Sequence, residues 1–315
     1  TLLLVGTNIT ETNPITGLKV KEAVKRRGAK LITIEALNPA IGSISNIVNL
    51  AQQHLGVKPT GFSTAILGLL KAVVEQSILD AELQGKAPAY FNAISARLQA
   101  LSWDAIFAQT GLASDLFTEA AQVFGQGKKV VVLVGPGVLR SEGGFGMTMN
   151  LMDLLLITGK LTNPGCGLAP LAEENNDQGA FEMGGTGAVL PGGTSLGDPA
   201  VRENLSKAWG RPIPDTPGSS LPQLIEDAQQ GKLKALFVVG ENPLASLPPS
   251  SGIHSALEKL DFLVCQELFL TETAQKAHVV LPACSYAEKD GTFTNTEGHI
   301  QSVRTAIDMV GESRP

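Results

Sequence analysis

Three short apolar runs in this chain end alike, in a glycine turn: Leu2–Val5 before Gly6-Thr7-Asn8, Val130–Val134 before Gly135-Pro136-Gly137, and Leu236–Val239 before Gly240-Glu241-Asn242. Apolar runs that do not alternate with polar residues read as strands buried on both faces, and a glycine at the carboxyl end permits a sharp turn. After the first run, Ile15–Arg27 reads as a helix with Ile15, Leu18, Ala23 and Val24 on one face. Cations (Lys25-Arg26-Arg27) suit its carboxyl end, and Gly28 closes it. Lys30–Glu35 (KLITIE) follows as a second strand that ends in an acid. A βαβ unit of this kind belongs in a doubly wound parallel sheet, where ligands bind beyond the carboxyl ends of the strands and bare amides favour phosphate. No G-x-G-x-x-G fingerprint is present, so the repetition speaks for fold rather than for a dinucleotide.

Residues 40–125 read as mostly helical, with apolar spacings of three and four over Thr64–Leu79, Tyr90–Leu101 and Ser114–Phe124, and carry no recognisable chemistry. Met147–Ile157 reads as an apolar helix closed by Gly159. Asp198-Pro199 opens a helix that runs to Trp209, and Pro212–Pro222 is a connector. Leu257–Leu260 ends a helix, Phe262–Val264 is a strand leading to Gln266-Glu267, and Thr271-Glu272-Thr273 starts a short helix. The strand Val279–Leu281 stops at Pro282, which cannot continue a central ladder.

The chain's 315 residues leave room for two domains, and 43% hydrophobic with 17% charged residues describes a soluble globular protein. A net charge of −6 argues against nucleic acid or an anionic membrane surface as partner. No apolar run reaches the length of a membrane span, so no direct membrane insertion is expected. Cys166, Cys265 and Cys284 lie far apart, and His54, His254, His278 and His299 are isolated, so reduced thiols and no metal site are expected. No residue stands out as a general acid, base or nucleophile, so no catalytic residue is assigned. Lys289-Asp290 is the polar pair of note, and a surface salt bridge is the role expected of it. The chain opens at Thr1, already inside a strand, and reads as a fragment of something longer.

The most informative stretch is Val279–Arg304, which contains LPA-x-S-x-AEKDGTFTNTEG-x-x-Q. By composition it is a solvated loop. By order of residues it resembles a signature of the molybdopterin oxidoreductases, a family that includes formate dehydrogenase catalytic subunits and the large iron–sulfur subunit of NADH-quinone oxidoreductase (complex I). Residues 161–184 (LTNPGCGLAPLAEENNDQGAFEMG) read as a polar linker on their own, and resemble the family's Pro-Gly and Asn-Asn-x-Gln-Gly-Ala runs near the pterin pocket. The resemblance runs from Gly6 to Arg314. It implies two Rossmann-like doubly wound α/β domains of the formate dehydrogenase/DMSO reductase domains 1–3 type: a first over 1–172 and a second over 173–315, the rest of the latter upstream. It also implies a pterin pocket, vestigial or real, at Gly6, Asn8, Glu35, Asn175, Asn176, Gln178, Gly179, Gly240, Glu241, Asn242, Gln266, Thr271, Lys289 and Asp290. Iron–sulfur clusters and the metal-ligating residue would lie upstream.

Departures from the family pattern decide which branch is expected. Formate dehydrogenases resembling this chain read Asp-Pro-Arg where it has Glu35-Ala36-Leu37, Arg-Gly-x-Asn-Asn where it has Ala172-Glu173-Glu174-Asn175-Asn176, and Glu-Arg-Arg-x-Gln where it has Glu297-Gly298-His299-Ile300-Gln301. The missing arginines would pair with a pyrophosphate, and Glu173 adds repulsion. The leading expectation is therefore a domain of the large iron–sulfur subunit of complex I, acting as scaffold in electron transfer from NADH to quinone. No cofactor is expected in this fragment, which alone is not expected to be active. The alternative is the pterin-binding part of a molybdenum or tungsten formate dehydrogenase, holding molybdopterin guanine dinucleotide. Either implies other subunits of a respiratory or formate-oxidising complex as partners. A place on the cytoplasmic side, peripheral to the inner membrane, is expected.

Overall fold

In the computed structural model, which describes residues 1–38, 42–43, 46–172 and 174–315, the first apolar run forms β1 (Leu2–Val5). β1 pairs in parallel with β2 (Leu31–Asn38), Leu2 opposite Leu31. β2 is flanked in turn by the two-residue antiparallel β3 (Gly42–Ser43) and by the parallel β4 (Gln53–Val57). On the other side β1 pairs with β5 (Val131–Val134), and β5 with β6 (Gly167–Pro170). The parallel strands thus lie in the order β4-β2-β1-β5-β6, and the winding reverses between β1 and β5. Ligands of open α/β sheets bind at such a reversal.

Because side chains alternate across a strand, the sheet buries two apolar faces. Leu3, Val5, Ile32, Ile34, Val132 and Val134 pack in the larger core with helices Phe62–Glu75, Ser114–Gln126 and Gly144–Ile157. Leu4, Leu31 and Leu133 pack on a smaller core with Ile9, Val20 and Ile47. Helix Pro14–Arg27 ends at Gly28, whose φ of 69° is the left-handed closure expected there. Its buried face differs from the expected one. Ile15 and Leu18 are exposed while Gly17 and Val20 are buried, because the helix approaches the chain before it closely enough that a Cβ on Gly17 would lie 3.0 Å from the Ile9 carbonyl. β4 falls within residues read as helical. Its Gln-His-Leu-Gly-Val sequence is too polar to announce a strand, and its place depends on pairing with β2.

The described residues fall into two units, Thr1–Glu174 and Asn175–Pro315. Glu173, the first residue of the second expected domain, lies outside the described residues. The second unit opens with helix Asp177–Glu182, a small hairpin of β7 (Val189–Leu190) and β8 (Thr194–Ser195), and helix Pro199–Trp209. Asp198 Oδ1 caps that last helix by accepting the Ala200 and Val201 N–H groups. A parallel sheet follows in the order β11 (Val279–Pro282), β10 (Phe262–Glu267), β9 (Ala235–Val239). Helices Leu221–Gln229 and Ile253–Glu258 cover one face through Ile225, Ile253 and Leu257 against Val238 and Leu263. The strand stops at Pro282 as expected, with the proline itself included in the ladder. Pro282 pairs opposite Glu267 as the last residue of β11, a position that an edge strand tolerates. The polar run after it is not a plain loop but a short 3-10 turn, Tyr286–Glu288, and an antiparallel ribbon of β12 (Gly291–Thr294) and β13 (Ile300–Val303). No described helix is long and apolar enough to cross a membrane.

Candidate functional site

At the winding reversal of the first unit, Gly6 follows β1 with φ 64° and Gly135-Pro136-Gly137 follows β5. The two turns lock onto each other. The Gly137 N–H donates to the Gly6 carbonyl at 2.9 Å, and a Cβ on Gly6 would come within 2.8 Å of Val138. The space that Gly6 leaves is therefore taken by the chain itself. Asn8 Oδ1 accepts from Thr10 Oγ1 at 2.9 Å, and its backbone carbonyl accepts from Glu11 and Thr12, so this loop is folded on its own donors. Glu35 follows Ile34, the residue opposite the end of β1, and its side chain is buried rather than open to solvent. It is 3% exposed, on the same strand as the buried Thr33, whose hydroxyl shares a 2.8 Å hydrogen bond with His54 Nδ1 on β4. Burial pulls the His54 pKa down, and the Glu35 charge partly offsets this.

In the second unit, the carboxyl ends of β9 and β10 carry Gly240-Glu241-Asn242 and Gln266. The Gly240 N–H donates to the Gln266 carbonyl at 2.9 Å. With φ 62° and open space where a Cβ would be, Gly240 leaves its backbone accessible. Asn242 ties the two strand ends together. Its Oδ1 accepts the Thr273 hydroxyl at 2.7 Å, and its Nδ2 donates to Glu272 Oε2 at 2.7 Å. The Asn242 hydrogen bond holds the Glu272 carboxyl below its ordinary pKa. Thr271 caps helix Glu272–Gln275 through the Ala274 N–H, and Glu241 Oε1 accepts from Ser246 at 2.6 Å. Glu272 and the fully buried Thr273 were not singled out from sequence. The available signal was the Thr-Glu-Thr run just past a strand end, beside the Gly-Glu-Asn turn.

The remaining expected residues lie in the polar run and the signature. Asn175 and Gln178 are exposed, and Gln178 Nε2 donates to Glu182 on its own helix at 2.7 Å. Asn176 Oδ1 accepts the Thr294 N–H of β12 at 2.9 Å, above the buried Gly179. Lys289 and Asp290 do not pair as expected. Adjacent residues of extended chain point to opposite sides, and Lys289 has φ −145° and ψ 159°. Asp290 Oδ1 instead accepts the Thr305 N–H at 2.8 Å and the Thr305 hydroxyl at 3.1 Å, which lowers its pKa. The structure thus joins Gly240, Glu241, Asn242, Gln266 and Thr271 into one edge, and Asn176 and Gly179 to the ribbon.

The family model for molybdopterin oxidoreductase matches residues 1–315. The α subunit of the F420-dependent formate dehydrogenase 1 of Methanococcus maripaludis is 33% identical over 313 residues, 99% of this chain and 45% of that protein. The α subunit of the NADPH-Fe(3+) oxidoreductase of Geobacter sulfurreducens is 31% identical over 99% of this chain and 36% of its own length. The chain therefore spans less than half the length of these relatives. The acetylene hydratase of Pelobacter acetylenicus superposes with a TM-score of 0.74 over 99% of this chain and 45% of that one; at 19% identity, that likeness speaks for fold alone. These relatives back the formate dehydrogenase alternative better than the complex I reading. With the family pattern matched from end to end on a mixed α/β fold with parallel sheets, the chain belongs to the molybdopterin oxidoreductase family.

Proposed function

We propose that this chain is the pterin-binding part of a formate dehydrogenase-type oxidoreductase that uses molybdenum or tungsten. The observation that carries this reading is the 33% identity, across 99% of the chain, to a formate dehydrogenase α subunit. The edge of the second unit fits the group that the family implies. The open Gly240 turn admits a close approach, and the ionised Glu272 held by Asn242 suits the N–H edge of a pterin or guanine ring. Neither 240–242 nor 266–273 contains lysine or arginine, so phosphates at this edge would rest on backbone N–H groups. When bound, such a group supplies electron transfer at its metal. The part of this chain is to orient it, through the Glu272 carboxylate, which Asn242 holds in place, and the backbone of the open Gly240-Glu241-Asn242 turn. The other subunits of a formate-oxidising complex are the partners this reading implies.

A specific feature favours a scaffold role in an NADH-quinone oxidoreductase as the second reading. Glu241, Glu267 and Glu272 gather three carboxylates at the same edge, and no cation among the residues of that edge offsets them. Elemental analysis and pterin fluorescence on the full-length protein decide between the two. About one molybdenum or tungsten per chain, with formate-dependent dye reduction, is the expected result. Iron and sulfide without either metal or pterin would leave the scaffold reading standing.

A further inference from the structure

Asn176 and Thr294 stand 118 residues apart in sequence, yet Asn176 Oδ1 accepts the Thr294 N–H. Thr294 is the buried end of β12, from which the ribbon turns into β13. Three residues past Asn176, Gly179 is buried inside helix Asp177–Glu182, and its φ is not left-handed, so its backbone does not call for glycine. Glycine inside a helix is unfavourable relative to alanine. The nearest atoms that a Cβ at Gly179 would meet all belong to the Asn176 side chain, and it would overlap Oδ1.

We infer that Asn176 is a positioning residue whose carboxamide fastens the β12–β13 ribbon to helix Asp177–Glu182, with Gly179 providing the space it occupies. One acceptor site of Oδ1 is committed to Thr294, while Nδ2 donates to no partner among the described residues. A ligand held at this loop therefore meets a donor at Asn176, and presents an acceptor oxygen or ring nitrogen to it. Only this last consequence rests on the pterin-binding reading.

The test is amide hydrogen exchange at Thr294 in the full-length protein, with exchange in β10 as the control for folding. N176A is expected to speed Thr294 exchange about tenfold, the effect of one lost hydrogen bond. G179A is expected to do the same, since its Cβ displaces the carboxamide. The N176A/G179A double variant should exchange no faster than N176A alone. N176D keeps an oxygen for the Thr294 N–H and should exchange like the wild type. Additive effects of N176A and G179A, or unchanged Thr294 exchange in N176A, would overturn the positioning role. Pterin released per chain tests the donor: N176D should lose pterin while the ribbon stays protected, and full retention would overturn that part. Absence of pterin from the wild-type protein would sink the functional reading and with it the donor, while the exchange cycle still decides the role of Asn176.

Discussion

Glu288 sits in the middle of the signature, 8% exposed, and it holds separate parts of the chain together. Its Oε2 accepts the Ser285 N–H and its Oε1 the Val310 N–H, both at 2.7 Å. The Ser285 backbone bond, then the Ser285 hydroxyl and Val310, draw its pKa below the ordinary glutamate range. A depressed folded pKa means that the stability Glu288 contributes is fully present above the unfolded value of about 4.3 and is lost as pH falls through the folded value. Glu288→Gln should therefore be less stable than wild type at pH 7, with the gap closing in acid. Urea unfolding at both pH values checks this, and an equal gap at the two would refute it. Asn242 is the second residue of this kind. Asn242→Ala removes the acceptor of the fully buried Thr273 hydroxyl and should cost about 1–3 kcal/mol in the same assay. A change within error would mean that another acceptor replaces it. The sequence named Asn242 as a residue of interest, but not this use of it, because the partner Thr273 lies 31 positions away.

Among elements, helix Phe62–Glu75 was legible from its apolar periodicity, and its closest contact was not. At Gly68 it passes against the Phe117 ring, and a Cβ there would lie 2.8 Å from the ring edge. Phe117 in turn stacks on Trp103 at 5.7 Å between centroids. Helix propensity alone makes glycine-to-alanine favourable by up to about 1 kcal/mol. Overpacking reverses the sign here, and Gly68→Ala should destabilise by about 1–3 kcal/mol. Gly85, in helix Ala81–Lys86 with open space around it, is the control: Gly85→Ala should raise the melting temperature slightly while Gly68→Ala lowers it. The same distinction between local and long-range effects explains β4. A run that alternates as weakly as Gln-His-Leu-Gly-Val becomes a strand only because β2 supplies its ladder.

At the scale of the whole molecule, the two units are built unequally. The first sheet buries apolar side chains on both faces. The second has its core on one face, while Phe237, Val239 and Phe262 are exposed. An exposed apolar sheet face favours self-association, so Phe237→Ser with Phe262→Ser should shift sedimentation of the isolated chain toward monomer. A wild-type chain that sediments as a monomer, or association unchanged in the double variant, would refute this. The sequence by itself determined the strands with their glycine turns, because unbroken apolar runs act through burial and glycine through local sterics. The order of its motifs also carried the family. Only the tertiary structure decided which polar side chains remain available to a ligand. Asn176, Glu288 and Asp290 each accept a backbone N–H from a strand or loop that folding brings beside them, at Thr294, Val310 and Thr305. A motif shows which donors and acceptors are present, but their partners are set by long-range packing, and a hydrogen bond already made within the chain leaves that site unavailable to a ligand.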